Sequence, residues 1–228
     1  MNDGEFHSML LANQKYKACR NHFMTDFTIV GPVIGILAAV DVILHIRLDL
    51  KKVRTKTNFF LAEPSTEVPM TAVVTVAVST LLSFFLVFLI PIAWLTGLGS
   101  NLFWFTFPIL SPPVVMWMLG LMLLSLGIGL HYWSRSVRQE MAASWAMSKT
   151  HQLVTTGPYG RIRHPSYASY LLCFLGLFLL LPSVVSCLLF LGFPGYYILA
   201  DSEELNLMNH FGDEYRAYMK KTGRFLPI

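Results

Sequence analysis

The chain has 228 residues, of which 54% are hydrophobic and only 13% are charged. Soluble domains carry about 25% charged residues, so this composition excludes an ordinary soluble protein and indicates an integral membrane protein. The net charge of +4 is small and its basic residues flank apolar segments, so membrane orientation and lipid contact explain it better than nucleic acid does. The three cysteines show no paired spacing, and we predict neither a disulfide nor a metal site.

Three long apolar segments predict transmembrane helices in the first half of the chain. They cover residues 27–46, 70–95 and 112–132, and each is near or above the roughly 20 residues that a helix needs to cross the hydrocarbon. No short apolar segment with a basic start and a small-residue cleavage site precedes them. We therefore expect the first span itself to direct insertion.

A fourth apolar region, residues 169–199, is too long for one span and too short for two spans with an ordinary loop. Pro182 and Ser183 interrupt it, which predicts a tight helical hairpin. Its first arm would run from about residue 165 to residue 181 and measure roughly 25 Å at 1.5 Å per residue. This arm is slightly shorter than the hydrocarbon thickness of a typical bilayer.

The second arm of the hairpin is predicted to continue past Leu199 to Glu203 and Glu204. Neither proline nor glycine occurs between Tyr196 and Asn209, so nothing there stops a helix. The two glutamates would then emerge just outside the lipid. The predicted fold is all-α, a polytopic membrane protein with about five transmembrane helices and a short C-terminal helical hairpin.

Lysines and arginines predict the orientation of the spans. They gather in residues 47–69, in residues 135–165 and in the tail after residue 200, whereas residues 97–111 carry none. Because basic loops stay in the cytosol, we expect these three segments on the cytosolic side. The N-terminal segment would lie outside, where acidic residues balance its basic ones.

A few residues inside the spans require an interpretation. Asp41 and His45 stand at positions i and i+4 of the first span and share one helix face. An intramembrane carboxylate raises a functional hypothesis by default, but we favour a structural pair or a contact with a neighbouring helix. Both residues stay outside the predicted site, and a catalytic role remains open.

Gly127 and Gly129 lie within an apolar helix and predict close helix packing rather than a nucleotide loop.

Two polar clusters lie at the borders of the hairpin. The loop before it contains His151, Tyr159, Arg161, Arg163, His164 and Tyr167, and the tail after it contains Glu203, Glu204 and Tyr215. Anchoring by arginines and interfacial tyrosines would explain part of this pattern. The density of donors, acceptors and flat rings favours a pocket for a polar cofactor. A folded hairpin would also bring a glutamate near His164, so the two clusters could form this pocket together. We divide the single membrane domain into residues 1–132, with the first three spans, and the catalytic region 133–228.

The loop and the tail together resemble the isoprenylcysteine carboxyl methyltransferases and the related phospholipid N-methyltransferases. The matching residues occur in the order and spacing of that family over about the last 80 to 95 residues. They are His151-x-Leu153-Val154, Gly157-x-Tyr159, Arg163-His164-Pro165-Ser166-Tyr167, Glu203-Glu204, Phe211-Gly212-x-Glu214-Tyr215 and Leu226-Pro227.

This resemblance implies a cytosolic pocket for S-adenosyl-L-methionine and no metal. Contacts to the cofactor would come from His151, Leu153, Val154, Gly157, Tyr159, His164, Tyr167 and Glu203. The candidate catalytic residues are Arg163, which would pair a substrate carboxylate, and His164 and Glu204. For an amine acceptor, Glu204, His164 or His151 would act as the base. The implied location is the cell membrane of a prokaryote or the endoplasmic reticulum of a eukaryote, with the site facing the cytosol.

The methyl acceptor is the point on which the chain departs from the family. Prenylcysteine-specific members carry an arginine about one turn before the cofactor glutamate, and here Leu199 occupies that place. We expect carboxyl O-methylation of a prenylcysteine-like or other lipophilic substrate among membrane lipids. The alternatives are N-methylation of a lipid amine, an NADPH-dependent reductase of the sterol type with a similar Arg-His-Pro-x-Tyr element, and a non-catalytic membrane protein. The oligomeric state stays open.

Overall fold

A computed structural model describes residues 3–54, 68–110, 112–138 and 152–228 of the chain. These residues form α-helices and short 3₁₀ turns, as the all-α prediction requires. The α-helices are α1 (Asp3–Arg54), α2 (Met70–Leu95), α3 (Gly99–Phe105), α4 (Val114–Arg138), α5 (Pro165–Leu180), α6 (Val184–Cys187), α7 (Gly192–Phe211) and α8 (Asp213–Met219).

The described helices include four stretches that are long and apolar enough to cross a membrane. They are Thr28–Leu50 within α1, Met70–Leu95, Val114–Arg138 and Val184–Phe211. The fifth apolar helix, α5, has 16 residues and is shorter, which agrees with the short first arm predicted for the hairpin. The polytopic architecture is confirmed.

The core lies where α2, α4, α5 and α7 meet. Its fully buried side chains include Leu86 of α2, Leu124 of α4 and Phe174 of α5. Gly127 allows α4 to approach α5, because a Cβ there would lie 2.5 Å from the Cys173 sulfur. Close packing is thus confirmed for Gly127. The prediction of close packing is wrong for Gly129, because no atom lies within 4 Å of a Cβ added there.

The hairpin bends at Pro182 and Ser183 as predicted. The Ser183 hydroxyl accepts a hydrogen bond from the Ser186 amide at the start of α6 and so caps it. The loop after α3 holds the bend from outside, because the Ile109 amide donates to the Pro182 carbonyl at 3.0 Å. The 3₁₀ turn Leu188–Leu191 then leads into α7, which runs on to Phe211 and carries both glutamates beyond the apolar part of the helix.

Candidate active site

The loop before α5 is fixed against the end of α4. Gly157 begins a 3₁₀ turn with φ of +60°, a conformation that favours glycine. A Cβ at this position would also approach the Val137 side chain to 2.8 Å. Glycine is therefore needed both for the backbone conformation and for the close contact with α4. Tyr159 follows in the same turn and is buried, and its burial raises the pKa of its phenol.

The tail after α8 pairs with this loop through its backbone. The Arg163 amide donates to the Gly223 carbonyl at 2.8 Å, and the His164 amide donates to the Arg224 carbonyl at 3.0 Å. In the other direction, the Gly223 amide donates to the Arg161 carbonyl at 3.0 Å. Segments about 60 residues apart in sequence are thereby joined, with the whole hairpin between them.

Glu204 lies at the centre of the charged cluster, which we define as Arg163, His164, Tyr167, Glu203, Glu204 and Arg224. Its carboxylate is 2% exposed. It accepts hydrogen bonds from Arg163 Nε at 2.8 Å and from Arg224 Nη2 at 2.7 Å, and it lies 3.1 Å from His164 Nε2. These three partners compensate the free-energy cost of burying the Glu204 carboxylate.

Glu203 is also buried but has fewer partners. Tyr167 donates its hydroxyl to Oε1, and His164 Nδ1 lies 3.3 Å from Oε2. A carboxylate offers about four lone-pair sites, so Glu203 keeps acceptor capacity that Glu204 has used. The two adjacent glutamates therefore differ in what they can still bind.

His164 connects the two glutamates, since each ring nitrogen faces one of the carboxylates. Burial alone would lower the pKa of His164, but the hydrogen bonds and charges of Glu203 and Glu204 outweigh it and raise that pKa above its usual 6.5. The imidazolium form satisfies both carboxylates at once, because both of its nitrogens donate. The ring also stacks on Tyr167, with 5.3 Å between the centroids and 9° between the planes.

Comparisons with known proteins cover the same part of the chain. Residues 115–214 match the family model of the phospholipid methyltransferases. This match covers 100 of the 228 residues. The protein-S-isoprenylcysteine O-methyltransferase of Schizosaccharomyces pombe is 39% identical over 83 residues, which cover 36% of this chain and 35% of that protein. The human protein-S-isoprenylcysteine O-methyltransferase is 33% identical over 84 residues, which cover 36% of this chain and 29% of the human one.

The chain thus spans about a third of the length of the curated relatives it matches. The phospholipid methyltransferase match begins in α4 and ends within α8, so it includes the glutamates and the loop. The resemblance inferred from the sequence is confirmed for this region. Helices α1 and α2 and the tail that carries Arg224 lie outside it.

The structure brings most of the predicted site residues together. Arg163, His164, Tyr167, Glu203 and Glu204 form one connected group. Tyr159 is held against α8, where the Tyr218 hydroxyl donates to the Tyr159 carbonyl at 2.6 Å.

Three predicted cofactor residues whose positions are described, Leu153, Val154 and Gly157, do not appear in that group. Leu153 and Val154 are half-buried in the irregular segment that precedes the 3₁₀ turn. His151 lies outside the described residues. Their predicted role in binding the cofactor stays a prediction.

Sequence reasoning missed Arg224, which completes the charged cluster. Its guanidinium binds Glu204, lies 2.7 Å from an Asp201 oxygen and stands over the Tyr197 ring at 4.8 Å. The sequence signal for Arg224 was its place directly before the Phe225-Leu226-Pro227 motif. Only the backbone pairing of the tail with the loop shows that it reaches α7.

Tyr215 carries a second feature that the sequence did not reveal. The residue is 1% exposed, and its hydroxyl has no hydrogen-bond partner within the described part of the chain. Burial raises its pKa, and the nearby charge of Glu204 adds to that shift. A buried hydroxyl without a partner costs free energy.

Proposed function

We propose that this protein is an integral membrane methyltransferase that uses S-adenosyl-L-methionine to methylate a lipophilic acceptor. The observation that carries this proposal is the free acceptor capacity of Glu203, which is buried beside Tyr167 and His164 within the methyltransferase-related region. A carboxylate in that position suits the ammonium group of the cofactor. Glu204, with its three donors, would keep the cluster in place.

The charge of the cluster supports the same assignment. Arg163 and Arg224 supply two cations, while Glu203, Glu204 and the adjacent Asp201 supply three carboxylates. S-adenosyl-L-methionine carries one net positive charge, because its sulfonium and ammonium outnumber its carboxylate. A cationic ligand at Glu203 would take over the role that the His164 imidazolium otherwise plays.

Aromatic rings and the Tyr215 hydroxyl also suit S-adenosyl-L-methionine. Tyr167, Tyr197 and Phe225 surround His164 and Arg224, with 6.1 Å between the ring centroids of His164 and Phe225. Flat faces of this kind suit an adenine ring. The unpartnered Tyr215 hydroxyl would donate to an oxygen or nitrogen of the ligand.

When bound, S-adenosyl-L-methionine supplies a methyl group that is already activated for transfer. The protein then needs chiefly to align the acceptor and to exclude water. A carboxylate acceptor is deprotonated at neutral pH, so no residue has to act as a base. The names of the two relatives support a prenylcysteine-like carboxylate as the first candidate.

A lipid amine is the second candidate, and Asp41 favours it. This carboxylate lines a cavity between α1, α2, α4 and α5, where it suits an ammonium group better than a second carboxylate. An amine must lose a proton before it reacts, and the candidate base is His164 in its neutral form, because Glu204 already has three donors around it. A methylation rate that rises steeply with pH would support the amine, and a flat profile would support the carboxylate.

The position of the basic residues supports a cytosolic active site in a multi-pass membrane protein. Arg161, Lys220 and Lys221 lie close in sequence to Arg163 and Arg224 of the charged cluster, and cytosolic segments are enriched in such residues. We expect the cell membrane in a prokaryotic cell and the endoplasmic reticulum in a eukaryotic one.

Equilibrium binding of S-adenosyl-L-methionine to the detergent-purified chain tests the proposal, with NADPH as the competing cofactor. We expect the former to bind and Glu203→Gln to weaken it about tenfold to a hundredfold, because a charge-assisted hydrogen bond is lost. Glu214→Gln is the matched control, since Glu214 is exposed on α8. Binding of NADPH alone, or equal affinity in wild type and Glu203→Gln, would contradict the assignment.

A further inference from the structure

The tail after α8, residues 220–228, turns back along the outer face of α7. Phe225 lies between the charged cluster and an exposed ring of this helix, with 6.1 Å to the centroid of His164 and 6.3 Å to that of Tyr197. Tyr197 precedes Glu204 by seven residues of helix, which places it about 10 Å farther into the apolar span. The tail therefore runs from the charged cluster toward the lipid and not away from it.

The tail is fixed in this position by side-chain and backbone contacts. The Arg224 guanidinium pairs with Glu204 and with Asp201, each at 2.7 Å. At Gly223, an added Cβ would lie only 1.7 Å from the Leu226 carbonyl oxygen, so residues 223–226 form a tight turn that requires glycine. The side chains that follow this turn are consequently presented by an ordered backbone.

The side chains that this turn presents are apolar and exposed. Ile228 and Leu226 have the highest exposed fractions of the large hydrophobic side chains in the described part of the chain, at 83% and 76%. Exposed apolar groups on an ordered surface mark an interaction site. Because Phe225 packs beside Tyr197, this apolar surface continues the exposed face of a membrane-spanning helix. Lipid is the partner that fits a surface in this position.

The charges around the turn favour the same partner. The exposed side chains at the start of α8 are acidic, Asp213 and Glu214, whereas those directly after it are basic, Lys220 and Lys221. Arg161 of the adjoining loop is exposed as well. The basic end of α8 is thus the end at which the chain turns toward the span. Basic groups next to apolar side chains at a membrane border suit anionic phospholipid headgroups.

We propose that the tail after α8 binds the bilayer surface on the side of the charged cluster. Its two lysines would lie at the phosphates of anionic lipids, with Leu226 and Ile228 among the outer acyl carbons. Arg224 lies between these two groups of side chains and binds Glu204, so contact with lipid holds the tail against the charged cluster. This contact needs no cofactor and no methyl transfer, and it stands apart from the proposed function.

Photo-crosslinking of the full chain in nanodiscs tests the position of the tail. One variant carries p-benzoylphenylalanine in place of Leu226 and another carries it in place of Ala217, which is exposed among the charged side chains of α8. Mass spectrometry after irradiation measures the phospholipid adducts. We expect about tenfold more lipid adduct at position 226 than at position 217, because interfacial side chains lie among the lipid. Equal or absent lipid adduct at position 226, or a cross-link from it to a second copy of the chain, would overturn the proposal.

Thermal unfolding in nanodiscs of two compositions tests the charge. We expect a higher midpoint in equal parts of phosphatidylglycerol and phosphatidylcholine than in phosphatidylcholine alone. The double variant Lys220→Gln/Lys221→Gln should reduce this difference by roughly 5 °C, the size expected for two lysines at an anionic surface. Lys15→Gln/Lys17→Gln is the control, because these exposed lysines stand at least roughly 16 Å of helix before Thr28, beyond a Debye length of about 8 Å.

The control variant should keep the lipid dependence of the wild type. An equal lipid dependence in the wild type and in Lys220→Gln/Lys221→Gln would overturn the proposal, as would a wild-type midpoint that anionic lipid does not raise. Both measurements are made without cofactor, so either result leaves the binding of S-adenosyl-L-methionine, and hence the proposed function, to its own test.

Discussion

The charged cluster and the membrane cavity both hold carboxylates and histidines away from bulk water, but they satisfy them differently. In the cluster, Glu204 has three donors from the loop and the tail. In the cavity, Asp41 has its main partner in His45 on its own helix. The first arrangement ties distant segments together, so we expect it to stabilise the fold strongly. The second is local to α1, so its loss should destabilise the fold less.

The largest expected effect comes from Glu204→Gln. It removes the buried carboxylate charge that Arg163, Arg224 and His164 share, and breaking a buried pair in this way costs about 3–5 kcal/mol. We expect a strong decrease of the thermal unfolding midpoint and loss of S-adenosyl-L-methionine binding. Asp213→Asn is the control, because Asp213 and Arg216 form an exposed pair and should contribute little. Equal stability of both variants would show that the cluster is not a tie between loop and tail.

Packing around the cavity can be tested at two glycines of α4. Gly127→Ala would place a Cβ 2.5 Å from the Cys173 sulfur and 2.8 Å from the Ser169 carbonyl, and overpacking of this kind costs about 1–3 kcal/mol. Gly129→Ala, which meets nothing within 4 Å, should leave stability unchanged or raise it slightly. Unfolding midpoints measured in the same detergent compare the two. If Gly127→Ala were as stable as Gly129→Ala, α4 and α5 would not be in the close contact described here.

The protonation of His164 gives the cluster a pH dependence. Its pKa is raised in the folded protein, so the stabilisation is fully present below the unfolded pKa of about 6.5 and is lost as the pH rises through the folded pKa. We expect the unfolding midpoint of the cofactor-free protein to fall from pH 6.5 upward. His164→Asn should reduce this slope. A midpoint that rises over the same range in the wild type would contradict the imidazolium assignment.

Tyr215→Phe is expected to have the smallest effect on stability. It removes a buried hydroxyl that has no partner among the described residues, so the change should be neutral or stabilise the protein by up to about 1 kcal/mol. The same variant should bind S-adenosyl-L-methionine a few-fold more weakly if the hydroxyl donates to the ligand. A clear loss of stability without cofactor would show that the hydroxyl already has a partner in the protein.

The sequence predicted the spans well where apolar segments end at helix-breaking residues. Residues 70–95 coincide with α2, and the hairpin bends at Pro182. The outer bounds of α1 and α4 were underestimated, because an apolar run marks the part of a helix in lipid and not its last turn. α1 extends from Asp3 to Arg54, and α4 continues beyond Tyr132 to Arg138. The short helix α3 gave no periodic signal.

The two polar regions also differ in how far the sequence reveals them. The charged cluster draws on short motifs with fixed spacing, so most of its members were predicted. Asp41 and His45 were expected to pair with each other or to contact a neighbouring helix. They pair with each other, and His45 also stacks on His131 of α4. Their meeting with Ser169 depends on the rotation of four helices about their axes. Hydropathy does not encode that rotation, which is why the cavity emerges only in three dimensions.

The backbone pairing between the loop and the tail turns three amides into reporters of site opening. The amides of Arg163, His164 and Gly223 donate across this junction, so they exchange with deuterated solvent only when the tail separates from the loop. Their exchange rates would measure how often the charged cluster opens in the resting protein. A ligand held by Glu203 and Arg224 would slow all three together, although none of the three amides needs to touch it.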